Sequence, residues 1–159
     1  MAAVIPDISD IADNVVADLN AWGFTKQFTA RRFWRPRFKL TEMSTLHVSV
    51  APRTIACEPI TRGKYQNDLG VDVAVQIAFD HEPTEEDLDE YAGLTKEIYD
   101  FLLIKRPTLR KDSRTKPTAI AIDPLCDAQH LDELNQFTAV IRAVYQGHFE
   151  VAGRLPGNP

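Results

Sequence analysis

From Leu69 to Phe79 the chain alternates without a break between large apolar side chains and small or polar ones. Leu69, Val71, Val73, Val75, Ile77 and Phe79 fall on one side, with Gly70, Asp72, Ala74, Gln76 and Ala78 on the other. A period of two over that length is a strand with one buried face, and such a face requires partner strands and a covering layer. Partners are present on both sides of it. Residues 25–35 read as a strand entered through Phe28 and Ala30 and broken before Pro36. Leu46, Val48 and Val50 alternate with His47 and Ser49, and Pro52 is expected to end that run. Ile55 and Cys57 form another short alternation, with Cys57 expected in the core and Pro59 marking an edge or strand end. TRGKYQND (61–68) is polar enough to be an exposed connection. Further on, a short strand is expected near 118–122 and a longer one at 136–149, where both faces carry apolar residues and a central position follows. One-sided alternation of this kind marks a mainly antiparallel sheet.

The covering layer comes from two segments of helical period. Ile8, Ile11, Val15 and Leu19 recur at three- and four-residue steps behind Pro6 and a candidate N-cap, Asp7, and Gly23 has the character of a left-handed terminator. Thr84-Glu85-Glu86-Asp87 is a variant of the capping box, followed by a stripe of Leu88, Tyr91, Leu94, Ile98, Phe101 and Leu102 and stopped by Pro107. The polar stretch 125–133 has room for one further helical turn. The expected class is α+β, in the order α-β-β-β-β-α-β-β, with two helices packed on one face of the sheet. Residues 1–150 are expected to form one domain, and VAGRLPGNP (151–159) a flexible tail.

Charge is distributed unevenly. The 159 residues carry 18 Lys+Arg and 23 Asp+Glu, a net −5. Residues 26–39 (KQFTARRFWRPRFK) hold six bases and no acid, and residues 105–116 (KRPTLRKDSRTK) hold six bases against Asp112 alone. The other 133 residues keep six bases against 22 acids. Such segregation favours association between complementary faces, of a partner or of further copies. No apolar run approaches the ~18 residues of a membrane span. MAAVIPDISD has no basic stretch of the secretory kind. Two distant cysteines, Cys57 and Cys126, make no disulfide framework.

Catalytic patterns are missing. There is no G-x-S-x-G, H-E-x-x-H, phosphate-binding glycine loop or dinucleotide fingerprint, and His47, His81, His130 and His148 are scattered. Asp123, Cys126, Asp127 and His130 crowd together, but a structural zinc needs four ligands and no second ligand pair accompanies them, so capping or buried roles are expected and no cofactor or metal. Residues 26–39 interleave Phe28, Phe33, Trp34 and Phe38 with Arg31, Arg32, Arg35 and Arg37. That pattern suits a single-stranded nucleic-acid platform, yet the acidic remainder repels a polyanion, and Arg with aromatic residues equally anchors protein interfaces. On the simplest strand geometry Phe28 and Trp34 turn inward while Arg31 and Arg35 turn out.

The order of elements, a short helix (DISDIADNVVADLN), an aromatic-basic strand ending in RPRF, LHVSVAPR, the TRGKYQND connection, LGVDVAVQIAF and an acidic-capped helix, resembles small neck proteins of tailed bacteriophages, and within them the tail terminator or tail-completion group. The resemblance implies a non-enzymatic virion protein assembled in the host cytoplasm. It further implies a homo-oligomeric ring, commonly a hexamer, between the tail tube protein and a head-completion, stopper or connector protein. A head-completion adaptor of the same neck, and a nucleic-acid-binding module using 26–39, are the alternatives. From charge, Arg31, Arg35 and Arg37 are assigned to contacts between copies, one possible target being an acidic helix such as residues 85–90 of the next copy. Arg110, Lys111 and Arg114, in the loop 107–117, are assigned to a neighbouring protein.

Overall fold

The computed structural model describes residues 8–35, 42–104 and 116–150. Its elements are α1 (Ile8–Ala21), β1 (Ala30–Arg32), β2 (His47–Thr61), β3 (Lys64–Ala78), α2 (Glu85–Ile104), β4 (Lys116–Ile122), α3 (Ala128–Leu134) and β5 (Gln136–Glu150). The strands form one sheet in the order β1-β2-β3-β5-β4, antiparallel except where β1 runs parallel to β2. This is the mixed, mostly antiparallel class the alternation predicts, with three helices where two were expected.

The long strand at 69–79 sits at the centre. β3 pairs along its whole length with β5 on one side and with β2 on the other. Leu69, Val71, Val73 and Val75 are at most 1% exposed, and Ile141, Ala143 and Tyr145 of β5 are buried beside them. Onto this face α1 brings Ile8, Ile11, Ala12, Val15 and Leu19, and α2 brings Leu94, Ile98, Phe101 and Leu102, all in one contiguous cluster. Both helices therefore bury the stripes that their three- and four-residue spacing defines. α2 starts on a reciprocal cap: the Asp87 N–H donates to Thr84 Oγ1 (3.2 Å) and the Thr84 N–H to Asp87 Oδ2 (3.0 Å). At the far ends of the helices Trp22 and Phe24 pack on Phe101, with ring centroids 5.2 and 5.4 Å apart.

Several expectations are corrected. Residues 25–35 contain only a three-residue strand, Ala30–Arg32. Pro52 does not end a strand; the runs at Leu46–Val50 and Ile55–Cys57 are one continuous β2, which shifts register between Pro52 and Thr54. The prolines are tolerated because of where their nitrogens point. Ala78 N–H donates to Met43 O (2.8 Å), so the even-numbered residues of β3 turn their backbone groups toward β2. Pro52 and Pro59, opposite odd-numbered Val71 and Tyr65, then turn their nitrogens to the outer edge, where no N–H is required. TRGKYQND is mostly strand rather than connection: the turn is Arg62-Gly63, with φ 79° at Gly63. Gly23 lacks the left-handed φ assigned to it; among the described non-glycine residues Asn135, at the end of α3, has φ 48°. The tail 151–159 lies outside the described residues.

Candidate interaction surfaces

β2 and β3 outrun the helices. Residues 53–61 of β2 are all exposed although the strand is laddered to β3 through to Thr61. β1 pairs only with residues 48–50, and beyond them the outer edge of β2 has no partner strand among the described residues. Ile55 is 63% exposed and Ile60 50%. Cys57, expected in the core, is exposed on the same strand. Its alternation with Glu58 was correctly a strand signal, but the face it defines lies past the cover of α1. Together with the ends of β3 and β5 this strand forms an arm, tipped by the exposed Arg62.

Of the basic residues assigned to contacts, Arg31 and Arg35 are exposed on and just after β1, and neither makes an ion pair among the described residues. Arg31 lies opposite Ser49, on the face of the sheet away from α1. Arg32, which was not assigned a role, faces α1 and pairs with Asp13 (3.1 Å) while lying over the Trp34 ring (5.9 Å). Trp34 is 67% exposed rather than turned inward, whereas Phe28 joins the core rim. Lys26 is committed to Glu90, whose carboxylate raises the lysine pKa, and it sits over Tyr91. Arg37, Arg110, Lys111 and Arg114 lie outside the described residues.

β1 is held on one side by its pairing with β2 and on the other by a side chain. Asn20, the penultimate residue of α1, accepts from the Ala30 N–H (2.7 Å) and donates to the Ala30 carbonyl (3.1 Å), so its amide substitutes for a neighbouring strand. A groove of about 530 Å³ opens beside it, walled by Leu19, Trp22, Phe24 and Phe28. Of the polar side chains beside it, Asn20 is engaged with β1 and Lys26 with Glu90.

The opposite end of the sheet is acidic. Residues 80–90 carry seven carboxylates and no Lys or Arg. His81 lies between two of them, its Nδ1 2.7 Å from Asp80 Oδ1 and its Nε2 3.1 Å from Asp87 Oδ2. Hydrogen bonding by Asp80 and then Asp87 raises the histidine pKa above its ordinary 6.5. The end of α3 adjoins this region, since Phe79 N–H donates to the Asn135 carbonyl (2.8 Å). Leu134 there is 48% exposed.

The residues 123–130 do structural work. Asp127 caps α3 by accepting from His130 N–H (2.9 Å), and His130 Nδ1 lies 2.9 Å from Thr138 Oγ1. Burial pushes the Cys126 thiol pKa up. Among the described residues no group of three or more His, Cys, Asp or Glu is placed to hold a metal ion, and no helix is long and apolar enough to cross a membrane. No protein-family model matches the chain, and no curated protein matches it.

Proposed function

We propose that this protein is a ring-forming structural subunit of the head–tail junction of a tailed bacteriophage, a tail terminator that caps the tail tube and joins it to the head connector. Its role is assembly rather than catalysis. The observation that carries the proposal is the arm: nine successive exposed residues of a hydrogen-bonded strand leave Ile55 and Ile60 at least half in water. A rigid strand that buries none of its own side chains in the monomer is suited to bury them in a neighbour, for roughly 2–3 kcal/mol per copy from those two isoleucines. Arg31 and Arg35, exposed and in no ion pair among the described residues, and the acidic opposite end supply charge complementarity between copies. Contacts of this unlike kind close into rings when the rotation per subunit permits. Negative-stain imaging of the purified protein tests the reading: annuli of uniform diameter support it, and a field of isolated small particles contradicts it.

The exposed Trp34, with Arg32 over its ring and Arg35 next to it in the chain, favours one second reading, a nucleic-acid-binding module. A mobility shift with short single-stranded DNA that weakens steeply with salt would support that reading over the first.

A further inference from the structure

Resting on the ring reading, the geometry points to which surfaces meet: we propose that the arm of one copy docks on the acidic end of the next. The two surfaces are opposite poles of the same sheet. β3 starts at the arm, with Lys64 opposite Thr61, and ends at Ala78 opposite Gln136, so about 45 Å of strand separates them. One copy therefore cannot bring its own arm to its own acidic end, and only the arm of a second copy can reach it.

Each pole carries what the other lacks. The arm presents Ile55 and Ile60 with Arg62 at the tip. The far end presents Leu134 and Asp132 on α3, and Glu82, Glu85, Glu86 and Asp89 before and at the start of α2; none of these five acids is held in an ion pair among the described residues. An exposed leucine on an acidic end thus meets a strand with two exposed isoleucines, a single acid in Glu58 and a base at its tip. The contact is made by side chains and not by sheet extension, because Pro52 and Pro59 remove two donors from the outer edge of β2. It is also heterologous, using two different patches, so each copy offers one arm and one receiving end.

That asymmetry gives the test. An arm variant, Ile55→Asp with Ile60→Asp, keeps its receiving end; an end variant, Glu82→Lys with Asp89→Lys and Asp132→Lys, keeps its arm. All five positions are exposed, so both variants should fold, checked by far-UV circular dichroism and thermal melting. Alone, each is expected to run as a monomer by sedimentation velocity at concentrations where the unmodified protein is fully assembled. Mixed in equal amounts they are expected to give a 1:1 dimer and nothing larger, since one good contact remains. Assembly of either variant alone, or no dimer on mixing, overturns the docking proposal while leaving the ring reading intact. An unmodified protein that stays monomeric throughout overturns both. If a variant misfolds, Arg62→Glu against Glu82→Lys replaces the pair, with restored assembly in the mixture as the supporting result and none as the contrary one.

Discussion

The Asn20 side-chain amide clamps Ala30 through both of its polar atoms, at 2.7 and 3.1 Å, and so fixes the three-residue strand that carries Arg31. Ten residues separate the two, and the intervening loop is tied to α2 by Thr25 N–H donating to Glu97 Oε1 (3.0 Å), by the Lys26–Glu90 ion pair and by Phe24 against Phe101. Asn20→Ala should cost about 1–2 kcal/mol in urea unfolding, the net value of two hydrogen bonds. Amide exchange at Ala30 should accelerate more than in the β3 core. An unchanged exchange rate at Ala30 would show that β2 pairing alone holds the strand.

Gly70 sits under a crowded crossing. A Cβ added there would lie 2.3 Å from Thr54 Oγ1 and 2.9 Å from an Arg53 guanidinium nitrogen, at the register shift of β2. Arg53 Nε also donates to Asp72 Oδ1 (2.7 Å). Gly70→Ala should therefore destabilise the fold by about 1–2 kcal/mol through overpacking. Thr54→Ala in the same chain should recover part of that loss. Purely additive effects in the double-mutant cycle would contradict the steric account.

His81 makes stability depend on pH. Asp80 first, then Asp87, holds its pKa above 6.5, so the folded state binds this proton more tightly than the unfolded chain. The stabilisation is complete below about pH 6.5 and disappears as pH rises through the folded value. Asp80 and Asp87 behave in the opposite sense: both are held below 3.8, and their contribution is lost as pH falls through the lowered values. An NMR titration should place the His81 midpoint above 6.5, and Asp80→Asn should lower it. A midpoint that Asp80→Asn leaves unmoved would remove Asp80 from this role.

The two thiols should report on assembly. Cys57 is exposed on the arm, while Cys126 is half-buried with a raised pKa. A maleimide should modify Cys57 well before Cys126 in the monomer, because the thiolate is the reactive form. In assembled protein Cys57 labelling should slow several-fold, and Cys126 should change little. Equal labelling of Cys57 in both states would place the arm outside any contact.

Arg110 and Arg114 carry the remaining charge expectation. Reversing both, to Glu, should leave folding and ring formation intact and block joining of tails to heads. Normal joining in a phage assembly reaction would count against the loop 107–117 as the contact.

Periodicity read the sheet well, because burial on one face imposes alternation directly. Val71, Val73, Val75, Ile141 and Ala143 are where it put them. It failed at Ile55 and Cys57, whose alternation is as regular as that of Val73. Spacing records which way a side chain points, and only the reach of α1 decides whether anything lies above it. Pro52 misled for a related reason. A proline ends a strand in the middle of a sheet, but at a free edge its nitrogen has no bond to lose. Arg31 and Arg35 are exposed, as strand geometry predicts for them, while their assignment to contacts between copies rests on charge alone. The acidic pole was visible as helix-start chemistry in residues 84–90, yet its position opposite the arm depends on the register of β3, which no local pattern encodes.

Self-association is the claim on which the rest stands, and the solution mass tests it most directly. Equilibrium sedimentation over a hundredfold range of concentration should give one dominant species at a fixed multiple of 17.9 kDa, a closed assembly that does not grow further. A single species at 17.9 kDa across the whole range would contradict it.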